Sequence, residues 1–111
     1  MKKYPVIAAA TIIVVICLSL ARAESVAVKY RGNVDLAPFQ CTPVTSSFVQ
    51  RVCYDEANQY MLIELGPTYY HYCGIDHATV AALRDAKSAG QFYNASIKGR
   101  FDCRVTPPPK Y

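Results

Sequence analysis

Tyr70 and Tyr72 stand two apart in the run Tyr69-Tyr70-His71-Tyr72-Cys73-Gly74-Ile75-Asp76, and Lys98, Arg100 and Arg104 bring cations a short way downstream. Residues two apart on a strand share a face, so the two rings would form a flat apolar platform. Such a platform stacks on nucleobases or sugar rings, while the cations meet phosphate, uronate or lipid headgroups. Tyr70, Tyr72, Lys98 and Arg100 are therefore the candidate ligand-binding residues, for nucleic acid or another anionic polymer, with Arg51 as a further cation. The same spacing has a plainer use, because paired strand aromatics pack under helices and build core. That plainer use is the favoured reading of the tyrosines, and pairing with Asp85 and Asp102 is the favoured reading of the cations.

His71 and His77 lack the partners that acid–base or metal chemistry needs. No H-x-x-x-H or H-E-x-x-H spacing is present, and neither histidine lies in a recognisable Ser or Cys nucleophile setting. On a strand His71 points away from Tyr70 and Tyr72, and His77 falls in the first turn of a helix, an ordinary surface position. No catalytic residue, metal site or cofactor is expected, and the chain is read as a non-enzyme. Asn94-Ala95-Ser96 matches a glycosylation sequon but falls inside an expected helix, and is read as accidental.

The elements that position these residues begin after an export signal. Lys2 and Lys3 precede an apolar run from Val6 to Leu20, and Ala21-Arg22-Ala23 offers an A-x-A cleavage site before Glu24. Residues 1–23 therefore read as a signal peptide. The apolar run is shorter than the ~20 residues of a stable membrane span, so none is expected after cleavage. Cys17 lies inside the run and would leave with it. The chain is formally +4, with twelve basic and eight acidic residues. Removing Lys2, Lys3 and Arg22 leaves nine basic residues against eight, so the processed chain is near +1 and is not a strongly basic binder. The localisation expected is periplasmic or secreted, in a bacterium.

Four cysteines remain in the 88 residues that follow: Cys41, Cys53, Cys73 and Cys103. An even count in a small exported chain reads as two disulfides. A zinc site would favour close C-x(2–4)-C pairs, whereas 11, 19 and 29 residues intervene here. Three pairings are open. Cys41–Cys103 would make a clamp between the flanks and leave Cys53–Cys73; Cys41–Cys73 with Cys53–Cys103 is also live. The Cys53–Cys73 bridge is awkward, because an intervening strand would hold the two too far apart.

Residues 24–45 read as an N-terminal extension, with Val26, Val28 and Tyr30 alternating on a short edge strand before a turn at Arg31-Gly32-Asn33. Pro38 and Pro43 keep the following chain extended. Phe48–Tyr54 reads as a strand with Val49, Val52 and Tyr54 inward, their uneven spacing implying a bulge. After a loop over Asp55–Gln59, strands follow at Tyr60–Leu65 and Tyr69–Cys73, split by Gly66-Pro67-Thr68. Asp76 can cap a helix carrying Val80, Leu83 and Ala86, which Gly90 would end in a left-handed conformation. A second helix over Gln91–Lys98 turns Phe92, Tyr93 and Ile97 inward and stops at Gly99. Residues 104–111, with Pro107-Pro108-Pro109, read as a flexible tail. The fold class expected is α+β: a small antiparallel three-stranded meander with two short helices on one face, stabilised by disulfides. The other face is either wet or covered by the N-terminal extension.

Between residues 46 and 103 these features fall in a familiar order. Val52-x-Tyr54-Asp55 closes one strand and Leu62-x-Glu64 marks the next. Tyr70-x-Tyr72-x-Gly74-Ile75 follows, then Leu83, then Ser88-x-Gly90-x-Phe92-Tyr93-Asn94 and Ile97-x-Gly99-Arg100-Phe101. Together they resemble the KTSC domain, named for the C-terminal ends of some lysyl-tRNA synthetases. The resemblance implies a non-catalytic accessory module, for which RNA binding has been suggested. The export signal and the four cysteines depart from that family's usual members, and an exported protein meets little tRNA. The expected function is thus a small exported, disulfide-stabilised module with a binding or structural role. Its partner is unknown, with an anionic polymer or an envelope protein as the possibilities.

Overall fold

The computed structural model describes residues 23–111, so the expected signal peptide and Cys17 lie outside the described residues, apart from Ala23. Six strands form one sheet: β1 (Ser25–Val28), β2 (Gly32–Asp35), β3 (Gln40–Pro43), β4 (Val49–Asp55), β5 (Tyr60–Leu65) and β6 (Thr68–Cys73). Helix α1 (His77–Asp85) follows, then α2 (Ala89–Phe92), which runs on into a π-helical turn over Tyr93–Ile97. The strand order is β2-β1-β6-β5-β4-β3. All neighbours are antiparallel except β1 and β6, which are parallel and share the single register pair Val28–Tyr69.

This corrects the expected three-stranded meander. The meander exists as β4-β5-β6, but the N-terminal extension adds three more strands, and they make the sheet mixed. The reason lies in β5. Tyr60, Met61, Leu62 and Ile63 are all 0% exposed, so both faces of this strand must be covered. On one face Met61 and Ile63 join Val52, Tyr54, Ile75, Val80, Leu83, Tyr93 and Ile97 beneath the helices. On the other, Tyr60 and Leu62 join Val28, Val34, Leu36, Phe39 and Tyr69 from the extension and β6. Burying each large side chain stabilises the fold by roughly 1.5–3 kcal/mol, so leaving the second face wet would forfeit several of these.

Local chemistry sets the joints. The β4 register shifts between Val49 and Arg51, the expected bulge, and this puts Val49 on the helix side with Val52 and Tyr54. Gly66, at φ 57°, leads the two-residue turn between β5 and β6, where a first-position glycine matches strand twist. Asp76 caps α1 by accepting from the Thr79 amide at 3.2 Å and its hydroxyl at 2.7 Å. The expected stop at Gly90 is displaced: α1 ends at Asp85 with Ala86 as its C-cap, and Ser88 caps the start of α2 by accepting from the Gln91 amide at 3.1 Å. Gly90 is instead a buried helical residue pressed against the Phe48 ring, where a Cβ would lie 2.5 Å from Cε1.

The C-terminal residues, expected to be flexible, are docked. Arg31 donates to the Pro109 carbonyl at 2.7 Å, and the Tyr111 hydroxyl donates to the buried Asp55 carboxylate at 2.7 Å. The Arg31 guanidinium sits 5.3 Å from the Tyr60 ring centroid and 5.4 Å from that of Tyr111. The two rings are in contact with each other, their centroids 6.4 Å apart, and the cation lies beside both, which compensates for a buried nitrogen of that group having no hydrogen-bond partner. Tyr111 also packs against Phe39, with centroids 5.7 Å apart.

Cys41 is bonded to Cys53 and Cys73 to Cys103, the third of the three open pairings and not the flank-to-flank clamp. β3 sets Cys41 directly opposite Cys53. β5, lying between β4 and β6, keeps Cys53 from Cys73, the obstacle the strand spacing implies. Among the described residues no helix is long and apolar enough to cross a membrane.

Peptide mapping by mass spectrometry should recover Cys41–Cys53 and Cys73–Cys103 and no other pair. The bridges span 12 and 30 residues, so chain entropy makes their removal cost about 3 and about 3.6 kcal/mol. Urea denaturation of the Cys41→Ser/Cys53→Ser and Cys73→Ser/Cys103→Ser doubles should show the larger loss in the second; the reverse order would contradict this ranking. Gly90→Ala should destabilise by about 1–3 kcal/mol through overpacking against Phe48, read as a lowered urea midpoint with an unchanged slope.

Candidate functional site

β1 accompanies β6 only as far as Tyr69, and then leaves it. Tyr30 turns the chain away with φ 71°, a left-handed conformation that strains a bulky residue, and its ring is 87% exposed. Beyond that point β6 runs on without a neighbouring strand on this side. The segment Gly99–Arg104 crosses the far end of the gap. It is held there by the Cys73–Cys103 bridge and by the Cys73 amide, which donates to the Phe101 carbonyl at 2.8 Å. Between the Tyr30 turn and this segment lies a groove of about 550 Å³ lined by Tyr30, Tyr70, His71, Tyr72, Gly99, Arg100, Asp102, Cys103 and Arg104.

Three of the four expected ligand-binding residues, Tyr70, Tyr72 and Arg100, share this groove; Lys98 is exposed but does not line it. The tyrosines are neither free nor fully packed. Both rest against the helix-side core while remaining partly exposed. Tyr72 is the more structural of the two: its hydroxyl is bonded to that of Tyr93, and their rings meet edge-on at 6.0 Å. Burial, then the Tyr93 bond, pushes the Tyr72 phenol well above its ordinary range. Tyr70 makes no side-chain hydrogen bond among the described residues, so its ring is the more available face.

The cations divide in the same way. Arg104 is bound to Asp102 at 2.7 Å, and this bond holds the Asp102 carboxyl down at about 2. Arg51, on β4, is bonded to Glu24 at 2.8 Å and to the Tyr69 hydroxyl at 3.3 Å, and takes no part in the groove. Asp85 pairs with no cation among the described residues. Arg100, exposed, has no ion pair there either, and is the cation left for a ligand.

His71 points away from Tyr70 and Tyr72, as the strand alternation requires. Its Nδ1 is hydrogen-bonded to the Tyr60 hydroxyl at 2.8 Å. His77 is exposed at the start of α1, 3.7 Å from a Glu56 carboxylate oxygen. Among the described residues no group of three His, Cys, Asp or Glu is placed to hold a metal ion. Tyr30 is the groove residue that sequence reasoning misses. The alternation from Val26 through Val28 makes it the last residue of an edge strand, and only the following Arg-Gly-Asn turn hints that the strand ends before it.

Burial and the Arg31 charge hold the His71 pKa below its ordinary value, against an opposing pull from Asp102. A depressed histidine adds stability above the unfolded value of about 6.5, and that stability is lost as the pH falls through the folded value, because the unfolded chain takes up the proton more readily. Urea midpoints should therefore drop between about pH 7.5 and 5, and His71→Gln should flatten the drop. An imidazole titrating above about 6.5 by NMR would contradict this.

The model of the KTSC domain family matches residues 45–101, from the loop before β4 to the segment after α2. Among solved structures, a KTSC domain protein from Yersinia pestis is similar over 58% of this chain and 92% of its own, at 31% identity and a TM-score of 0.56. No curated protein matches. With more than half of its length matched by the family model, this chain belongs to the KTSC domain family.

Proposed function

We propose that this KTSC protein is an exported, non-catalytic binding module whose groove takes an anionic polymer. The observation that carries the reading is the convergence of Tyr30, Tyr70 and Arg100 on one concave surface. Two ring faces offer apolar stacking area, and one exposed cation offers a partner for a carboxylate or phosphate. Export accords with the signal-like residues 1–23 and with two disulfides, which persist in oxidising compartments. The absence of catalysis accords with the state of the titratable groups in the groove. His71 is engaged by Tyr60 and Asp102 by Arg104, which leaves no nucleophile–base pair among the lining residues.

The net charge of the processed chain is near +1, so affinity must come from this local arrangement and not from overall attraction. Tyr72 then supports the site: its bond to Tyr93 fixes the end of β6 from which Tyr70 projects. Lys98 lies just outside and adds long-range attraction only, which salt screens within about 8–10 Å.

Chemical-shift titration of the disulfide-intact protein with polygalacturonate and with an oligothymidylate should move the resonances of Tyr30, Tyr70 and Arg100. Arg100→Ala should weaken binding roughly tenfold, the effect of losing ~1.4 kcal/mol at one charge-assisted contact, and Lys98→Ala should weaken it less. Failure of every polyanion to shift these residues, or an unaltered affinity in Arg100→Ala, would overturn the binding reading. Turnover on a hydrolase substrate panel that disappears in His71→Ala would overturn the non-catalytic one.

A further inference from the structure

The backbone along the groove floor carries more information than its side chains. Successive residues of a strand turn their N–H and C=O groups to opposite sides. The tight turn after Leu65 makes Leu65 and Thr68 a hydrogen-bonded pair, so Thr68, Tyr70 and Tyr72 bond to β5. Tyr69, His71 and Cys73 turn their groups the other way. The Tyr69 carbonyl accepts from the Lys29 amide at 2.9 Å, and the Cys73 amide donates to the Phe101 carbonyl at 2.8 Å. Between these two occupied positions, among the described residues, no hydrogen bond reaches the N–H or the C=O of His71. The strand therefore presents one open residue, a donor and an acceptor side by side and pointing the same way. His71 lines the groove together with Tyr30, Tyr70 and Arg100.

We infer that the groove recognises an acidic polysaccharide, a hexuronate polymer, whose vicinal diol pairs with the N–H and C=O of His71 while its carboxylate meets Arg100 and its ring lies on Tyr70 or Tyr30. This rests on the reading of the groove as a polyanion site and names its ligand class. A hydroxyl both accepts and donates, so one of two adjacent hydroxyls takes the His71 N–H and the other donates to its C=O. A hexuronate linked through positions 1 and 4 keeps that diol on the same ring as a carboxylate and an apolar face of C–H groups. DNA carries phosphates and flat bases but no vicinal diol, and an internal RNA nucleotide keeps a single hydroxyl. An added peptide strand fits less well. It would gain one residue's pair of bonds, because the positions two residues away on either side are already taken by Lys29 and Phe101.

Two experiments with the disulfide-intact protein test this. Oligogalacturonate should bind at least roughly tenfold more tightly than an oligothymidylate of equal charge, the scale of one lost hydrogen-bonding pair. Oligogalacturonate whose diols have been cleaved with periodate and reduced with borohydride, its carboxylates intact, should lose a similar factor. In the protein, His71→Pro removes the open N–H without breaking a sheet bond, a substitution that edge strands tolerate. Its affinity should fall roughly tenfold below that of His71→Ala, which keeps the N–H. If His71→Pro fails to fold, as judged by its thermal transition, the polymer comparison decides alone. Equal binding of cleaved and intact oligomers, or equal binding of oligothymidylate, overturns the diol assignment while leaving the polyanion reading standing. No binding by any of these polyanions removes both.

Discussion

Four consecutive side chains of β5, Tyr60 to Ile63, are shielded from water on both faces of the sheet, and most of the architecture answers to that. The helices cover Met61 and Ile63, as the family-matched segment alone can arrange. Tyr60 and Leu62 need a second layer, and residues 24–45 supply it through Val28, Val34, Leu36 and Phe39. The C-terminal residues complete it, since Tyr111 closes over Phe39 and Tyr60 and the Arg31 guanidinium lies beside both tyrosine rings. What is added to the matched segment is therefore the other half of its core.

The groove is a consequence of how that second layer ends. β1 meets β6 in parallel, and a parallel neighbour cannot return through a tight hairpin to extend the pairing. β1 instead pairs backwards with β2 through the Tyr30 turn. The left-handed conformation of Tyr30 is the local cost of that reversal, and it throws the ring into solvent beside the uncovered end of β6. On the far side, Gly99 at φ 79° releases the chain from its helix and lets it cross back to Cys73. The concavity arises where two covering segments stop short of each other.

Much of the fold is legible in the sequence because its signals are local. The bulge in β4, the hairpin at Gly66, the Asp76 cap and the inward Tyr93 and Ile97 each follow from a few adjacent residues. The sheet order is not legible, because the parallel contact between Val28 and Tyr69 joins residues far apart in sequence and leaves no periodic trace. The run Tyr60-Met61-Leu62-Ile63 does contain the clue, since an uninterrupted apolar strand has no polar face to offer water. Ser88 and Gly90 read as one stop signal because both types serve at helix ends; only the Phe48 ring beside Gly90 explains a glycine inside the second helix. At the site, strand alternation and proximity place Tyr70, Tyr72 and Arg100, while Tyr30 depends on a turn whose geometry the sequence only suggests.

The disulfides connect these two themes. Each joins one cysteine of the matched segment, Cys53 or Cys73, to one outside it, Cys41 or Cys103. A bridge between the flanks would have closed a larger loop, but it would have left both flanks free to move together against the core. Bridging each flank to the sheet fixes it where it packs. At Cys73 the effect reaches the groove, because the same residue that anchors Cys103 also donates its amide to Phe101, setting the wall that carries Arg100 and Arg104. A wall fixed before any ligand arrives spares the ordering entropy that a loose segment would lose on binding. In a domain this small, the bond that helps hold the fold and the bond that shapes the groove are the same one.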